Sequence, residues 1–265
     1  MVLAGSFSNN VQIIDYEFPF TERVRMFLRL ENLFAKLNYF VDQSDPLPHH
    51  SAIMVLFEIL ESGSRADLKS DLLQELERQR QTLSALQGNP AINADRLQQT
   101  IDEITGTAQA LGAVNGRLGQ HLRENEWLMM IRGRSGIPGG VCEFDLPSYH
   151  AWQHENPEKR RQQLLEWIRP MLPLARAIHI LLDILRHTGP RRTEQANNGS
   201  FTQPLAGKQY QLARLSIPTE LACVPEVSAN KYMVWIRFNQ LNDYLDAKTR
   251  PCESSFQFTL QLCNF

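Results

Sequence analysis

The sequence has little of what marks several common protein classes. Its 265 residues hold four cysteines and no CxxC pair, which indicates free thiols in a reducing compartment, not a disulfide framework or a zinc knuckle. The N-terminus lacks a basic segment followed by an apolar one, so no secretory signal is predicted. The most apolar stretch, 171–185, is interrupted by three polar or charged residues and is too short for a membrane span. We therefore expect a cytoplasmic protein with no membrane partner.

The sequence also lacks a clear excess of positive or negative charge. The 27 Lys and Arg nearly balance the 29 Asp and Glu, which gives a net charge of −2 and argues against nucleic-acid binding by bulk attraction. With 43% hydrophobic and 21% charged residues, the composition is that of a folded protein. Lysine is scarce, however: 21 of the 27 cations are Arg. Because Arg presents a planar fork of donors, this bias favours directed contacts with carboxylate or phosphate.

The sequence lacks the motifs of several common enzyme classes. There is no Walker A loop, no GxGxxG after a strand, no GxSxG elbow and no HExxH. His150 and His154 could share one helix face, with Cys142 or Glu143 as a third metal ligand, but hydrogen-bonding surface histidines are the favoured interpretation. The Gly-rich segment 132–140 contains two arginines and could bind an anion, yet a structural turn is favoured there too. We expect neither an enzyme nor a bound cofactor or metal.

The N-terminal part of the chain predicts one strand and two helices. The β-branched and aromatic run 11–18 indicates a strand. Thr21 is a suitable N-cap for a helix to about Phe40, whose apolar residues recur at helical spacing. A turn-rich segment with two prolines, 42–50, is expected next, followed by a helix over roughly 51–60.

The middle of the chain predicts an antiparallel helical hairpin. Two runs of mainly apolar residues repeat at steps of three and four, one over 72–86 and the other over 97–111. Gly88, Asn89 and Pro90 separate them and cannot continue a helix. Two such seams joined by a short connection pack against each other or against another subunit. Further helices are expected over 117–132, 157–168 and 170–187.

The pattern changes after residue 188. The polar segment 189–199 predicts a linker or long loop, and three β-prone runs follow at 209–217, 231–238 and 255–262. Because the N-terminal strand has no partner near it in sequence, we expect it to join these strands. The predicted fold is α+β: a helical domain of residues 20–187, and a smaller antiparallel β-domain of residues 1–19 and 188–265.

One stripe of the first helix is basic. Arg25, Arg29, Asn32 and Lys36 follow at steps of four, three and four, so they share a helix face. The stripe is either a solvated face, with Arg25 paired to Glu22, or a site for an anion or an acidic peptide. A phosphate- or nucleic-acid-binding regulator that uses this stripe and the Gly-rich turn is the alternative that these residues leave open.

Several blocks of sequence resemble the ZapD family of Z-ring-associated division proteins of Gram-negative bacteria. The most specific block is IPGGVCEFDLPSYHAW at 137–152. The others are TERVRMFLRLE at 21–31, RADLKSDLLQELERQ at 65–79, LGQHLRE at 118–124 and WIRF at 235–238. The blocks occur in order over almost the whole chain.

The resemblance implies a homodimer that acts in the cytoplasm at the mid-cell division site. It implies binding to the C-terminal tail of FtsZ, the tubulin-like division GTPase, and cross-linking or bundling of FtsZ protofilaments. By position, the residues implied to bind the tail are Arg25, Arg29, Arg65, Lys69, His150 and Arg237. One position departs from the family pattern, since Glu126 stands where a relative can carry Arg.

Overall fold

Two compact units make up the chain. The computed structural model describes residues 12–63, 67–241 and 250–265. One unit contains residues up to Arg25 together with 184–265, and the other contains Met26–Asp183. Helices and two antiparallel sheets are both present, which confirms the predicted α+β class. The predicted domain boundaries after residues 19 and 187 stay a prediction.

The first strand and the first helix form where the sequence predicted them. Strand β1 covers Ile13–Pro19 and helix α1 covers Glu22–Val41. The hydroxyl oxygen of Thr21 accepts a hydrogen bond from the amide of Val24 at 3.3 Å, so Thr21 caps α1 as expected. The apolar positions of α1 are buried, with Val24 and Phe27 fully inaccessible. This burial leaves the basic positions on the outer face.

Helix α2 begins earlier than predicted. It covers Pro46–Ser62 and takes up part of the segment predicted as a turn. The carboxylate of Asp45 accepts from the amide of Leu47 at 2.9 Å, and Pro46 occupies the first helical position, where its missing N–H is no loss. The two prolines of this segment therefore start a helix.

The predicted hairpin is present as α3 (Leu68–Ser84) and α4 (Ala94–Gly112), which pack against each other. Its seam includes Leu72, Leu76, Leu97, Ile101 and Ile104, all buried. The seam is not uniform. Glu75 is buried in it, and its carboxylate accepts from Gln79 at 2.7 Å, while Leu86 near the connection is 38% exposed.

The predicted helix over 117–132 is wrong, because the chain forms two helices there. Helix α5 covers Gln120–Arg123 and α6 covers Glu126–Ser135. The first ends at its C-cap, Glu124, and Asn125 caps the second, since its side chain accepts from the amide of Leu128 at 3.0 Å. Asn favours such caps over helix interiors.

Of the three remaining helices, the last two match the predicted ranges closely, whereas the first had no predicted counterpart. Helix α7 covers Pro147–Gln153, α8 covers Pro157–Ile168 and α9 covers Leu172–Arg186, with a short 3-10 turn before α9. Among the described residues, no helix is long and apolar enough to cross a bilayer.

Two antiparallel sheets form in the unit that carries both chain ends. The later strands are β2 (Arg191–Ala196), β3 (Ser200–Pro204), β4 (Leu212–Pro218), β5 (Cys223–Ala229), β6 (Met233–Gln240) and β7 (Phe256–Cys263). The first sheet has the order β1-β4-β7-β2 and the second β3-β6-β5. The pairing of β1 with β4 confirms that the N-terminal strand joins the C-terminal sheet. The core includes Phe238, Phe256 and Phe258, whose rings meet edge to face.

The predicted linker at 189–199 is wrong, since β2 lies inside it. This strand is polar and lies at the edge of its sheet, so it carries too few apolar residues to show the alternation of a half-buried strand. The four cysteines are free thiols, as predicted, with Cys142 exposed and the other three buried.

Candidate functional site

Helix α1 positions two predicted site residues on successive turns. Arg25 and Arg29 are separated by four residues, so their side chains leave the helix on the same face. The Nε of Arg25 lies 3.2 Å from a carboxylate oxygen of Glu22, and the two side chains are 38% and 57% exposed. Nη2 of Arg25 also donates to the carbonyl of Pro19 at 3.4 Å. Arg29 and Lys36 are exposed.

Arg25 pairs with Glu22, as one interpretation of the stripe predicts, and binding of an anion or an acidic peptide by the stripe stays a proposal. An exposed ion pair contributes about 0–1 kcal/mol of stability. A carboxylate from a partner can therefore replace Glu22 at little cost. Chemically, the stripe is suited to exchanging an internal carboxylate for an external one.

Lys69 has a structural role in its own unit. Its Nζ donates to the carbonyls of Gly112 at 3.1 Å and Val114 at 2.6 Å, which lie at the C-terminal end of α4 and just beyond it. A cation there satisfies carbonyls that the helix leaves open and complements the helix dipole. Its neighbour in the predicted site, Arg65, lies outside the described residues.

Helix α7 fixes His150 through the buried residues on either side of it. Tyr149 is fully buried and its hydroxyl lies 2.6 Å from Nδ1 of His50, while Nε1 of Trp152 donates to Gln163 at 2.7 Å. Burial raises the pKa of Tyr149 and lowers that of His50, so this contact joins two neutral groups. His150 itself is half-buried.

The two histidines at the end of α7 do not form a metal site with a third ligand. The rings of His150 and His154 are 4.4 Å apart, and Nδ1 of His154 lies 2.9 Å from the carbonyl of His150. Throughout the part of the chain that the structure describes, no group of three His, Cys, Asp or Glu side chains could hold a metal ion. The geometry favours hydrogen-bonding surface histidines.

Arg237 lies in the middle of β6, on the exposed face of the second sheet. Its cross-strand neighbours are Ser200 on β3 and Glu226 on β5. Trp235, two residues earlier on the same face, is 38% exposed. An arginine beside an exposed tryptophan offers both charge and apolar area to a ligand.

The Gly-rich turn holds its arginines in internal ion pairs. Arg132 lies 2.5 Å from Glu61, and Arg134 lies 3.3 Å from Asp145. A Cβ at Gly140 would come within 2.4 Å of the carbonyl of Arg134, so glycine is needed there for the tight turn itself. These contacts support a structural turn, and the alternative of a phosphate- or nucleic-acid-binding regulator then depends on the α1 stripe alone.

The departure at Glu126 has a local reason. Glu126 is the first residue of α6, where a carboxylate interacts favourably with the positive end of the helix dipole. Glu126 therefore stabilises the start of this helix, and a basic residue at the same position would not.

The six predicted site residues have different surroundings. Arg25 and Arg29 share a face of α1, whereas Lys69, His150 and Arg237 each have their own local contacts. Arg25 and Arg237 belong to one compact unit, and the other three described residues belong to the second. Their action as a single site stays a proposal. Sequence reasoning missed two further basic residues: Arg192, because 189–199 was predicted to be a linker, and Lys208, which stands just before the predicted strand at 209–217.

Comparisons with known proteins give one consistent result. The ZapD family model, described as a cell division protein, matches residues 28–237. A cell division protein ZapD of Janthinobacterium sp. is 49% identical over 253 residues, which cover 96% of this chain and all of that protein. ZapD proteins of Ralstonia pickettii and Ralstonia nicotianae are each 48% identical over 254 residues, with the same coverage. The resemblance found in the sequence is confirmed.

Proposed function

This chain belongs to the ZapD family of cell division proteins, and from that premise we propose that it binds the C-terminal tail of FtsZ. A homodimer of the chain would hold two tails and so cross-link or bundle FtsZ protofilaments at the division site. No catalytic step is part of this function. The proposed tail contacts are Arg25, Arg29, Arg65, Lys69, His150 and Arg237.

The observation that carries the proposal is the state of Arg25 on α1. It lies beside Arg29 on an outer helix face, and its carboxylate partner, Glu22, is itself 57% exposed. Like charges one turn apart repel by about 0.2–0.5 kcal/mol per pair, and an acidic segment laid across them removes this repulsion. Because Arg can bind a carboxylate through two parallel hydrogen bonds, the pair selects carboxylates by geometry as well as by charge.

Dimerisation supplies the strength that a single tail contact lacks. A flexible tail must lose conformational entropy when it is ordered on a surface, so each site binds weakly. Once one tail of a filament is bound, the second site experiences a high effective concentration of neighbouring tails. A modest affinity for the tail therefore suffices for firm bundling. The charged contact also predicts weaker binding at higher salt.

The test is co-sedimentation with polymerised FtsZ of a variant that carries both Arg25→Glu and Arg29→Glu. The variant should fold and dimerise like the wild type, because both positions lie on the outer face of α1. It should lose co-sedimentation and bundling, by about tenfold or more in affinity, since two attractive charges become repulsive.

A matched control changes the net charge by the same amount elsewhere. Arg96 and Arg117 are exposed residues of the helical unit, and the double variant Arg96→Glu with Arg117→Glu should bundle FtsZ as the wild type does. Unchanged bundling by the α1 variant, or equal loss in both variants, would overturn the assignment of the stripe.

A further inference from the structure

A second group of basic residues surrounds a cleft in the β-rich unit. Strands β2 and β3 are joined by a tight turn in which Asn197 and Ser200 exchange backbone hydrogen bonds of 2.9 and 3.0 Å. Beyond this turn the two strands separate, because β2 pairs with β7 in one sheet and β3 pairs with β6 in the other. The cleft opens between the separated strands.

The cleft has an apolar floor and a polar rim. Its volume is about 270 Å³, enough for one or two side chains but small for a whole drug-sized ligand. Leu260 and Leu262 of β7 form the floor. The rim includes Arg192 and Glu194 of β2, Gln203 of β3, and Lys208 and Tyr210 from the connection to β4.

The charges of the rim favour an anionic ligand. Arg192 and Lys208 outnumber the single acid, Glu194. Neither cation forms an ion pair or a side-chain hydrogen bond with any other residue in the described ranges. Arg134 and Arg214, by comparison, both contact carboxylates. Two cations beside an apolar floor are complementary to an apolar side chain that is flanked by a carboxylate.

The backbone of β2 offers a means of holding an extended chain. In the two sheets that the structure describes, β2 is the terminal strand of the first and β3 the terminal strand of the second. The outer edge of a terminal strand presents N–H and C=O groups with which an added strand can pair. Side chains of an added strand alternate, so every second one on the Leu260 face of β2 would enter the cleft.

We propose that this cleft binds an extended acidic peptide, which pairs with the edge of β2, places an apolar side chain on Leu260 and Leu262, and places a carboxylate on Arg192 and Lys208. The occupant is a segment of the FtsZ tail, so the inference rests on the proposed function. The predicted arginines contact the tail through charge. The cleft would add a site that holds an apolar side chain of the tail.

Charge variants of neighbouring residues test the contact with the rim. Arg192 lines the cleft, whereas Arg191 pairs in register with Gln261 and points to the opposite face of β2. Affinity for a fluorescent FtsZ tail peptide, measured by anisotropy, should fall about tenfold for Arg192→Glu and less than about twofold for Arg191→Glu. Glu194→Gln should tighten binding by about twofold, because it removes the one repulsive charge.

Amide hydrogen exchange of the full-length protein tests the added strand. With the tail peptide bound, exchange should slow in residues 191–196, because their outer amides become hydrogen-bonded. Slower exchange there and the three predicted affinities together support the inference. If the peptide binds but exchange over 191–196 is unchanged, or if Arg192→Glu and Arg191→Glu bind equally, the inference is wrong while the proposed function stands. If no peptide binds at any salt concentration, the proposed function fails first.

Discussion

Arg160 on α8 and Arg25 on α1 have the same guanidinium group, but the first is buried and the second is partly exposed. Arg160 is 2% exposed. Its Nη2 donates to the carbonyl of Ser44 at 2.6 Å, its Nη1 to the carbonyls of Gln153 and Glu155, and its Nε to Nδ1 of His49 at 3.0 Å. Arg25 is far more exposed, and its carboxylate partner is a still more exposed neighbour on its own helix.

The difference separates arginines that hold the fold from arginines that can bind a partner. Removing Arg160 leaves the buried ring of His49 and three partly buried carbonyl acceptors without this donor, which is costly. Removing Arg25 leaves the exposed carboxylate of Glu22 accessible to water and takes away one long hydrogen bond, 3.4 Å, to the carbonyl of Pro19. The Arg-rich composition therefore contains at least two populations, and only exposure and partners distinguish them. Changes at Arg160, His49 and Lys69 test this distinction.

Substitution of Arg160 should have the largest effect. Arg160→Met keeps much of the side-chain volume but removes every donor, so we expect a loss of about 3–5 kcal/mol in the free energy of unfolding. Urea denaturation followed by circular dichroism measures it. The matched control is Arg161→Met, at an exposed neighbour 3.3 Å from Asp42, which should cost less than about 1 kcal/mol. Equal losses in the two variants would contradict the comparison.

Lowering the pH should weaken the same cluster through His49. Burial is the main cause that lowers the pKa of His49 below its usual 6.5, and the Arg160 charge adds to it. In the folded protein His49 accepts from Arg160 and is neutral, whereas in the unfolded chain it takes up a proton below about pH 6.5. The free energy of unfolding should therefore be undiminished above pH 6.5 and fall as the pH drops toward the lowered pKa.

A control compares His49 and His50, whose pKa values are lowered by burial, with an exposed histidine. His154→Gln, at an exposed histidine, should leave the pH dependence unchanged. Denaturation midpoints at pH 7.5 and 5.5 measure both proteins. A wild-type stability that is equal at the two pH values, or higher at pH 5.5, would show that His49 is not the neutral acceptor of Arg160.

Substitution of Lys69 should change the free energy of unfolding least. Lys69 is intermediate because it belongs to the predicted binding site and also has structural contacts. Lys69→Met removes two hydrogen bonds to carbonyls at the end of α4, which should cost about 1 kcal/mol of stability. Lys69→Arg should restore most of it. If Lys69→Met instead leaves stability unchanged and weakens FtsZ binding as much as Arg25→Glu does, Lys69 belongs with the binding arginines.

Much of the fold could be predicted from the sequence, because its signals are local. The seam of the α3–α4 hairpin repeats every three or four residues, and Thr21 is a cap that needs no tertiary context. The break at Asn125 also has a local cause, yet apolar residues on both sides concealed it. The edge strand β2 could not be predicted from its side chains, which are mostly polar. It pairs with β7 through backbone groups that every residue possesses.

The candidate site was less predictable, because charge on a helix face does not reveal its partners. The spacing of Arg25 and Arg29 follows from the sequence, and so does the possibility that Arg25 pairs with Glu22, but only the structure shows that this pair forms and that it is exposed. From its residue type alone, Lys69 is indistinguishable from a lysine that binds a partner. Only the structure shows its contacts with the end of α4. The cleft beside β2 depends on two strands that separate into different sheets, a feature with no local signature.

We propose that the exposed arginines bind an acidic tail of FtsZ, and removal of that tail is the decisive experiment. The affinity of the wild-type protein is measured by co-sedimentation with intact FtsZ and with FtsZ that lacks its C-terminal tail, at low and at moderate salt. We expect firm, salt-sensitive binding to intact FtsZ and loss of binding to the truncated form. Equal binding to both forms would show that the arginines do not bind the tail.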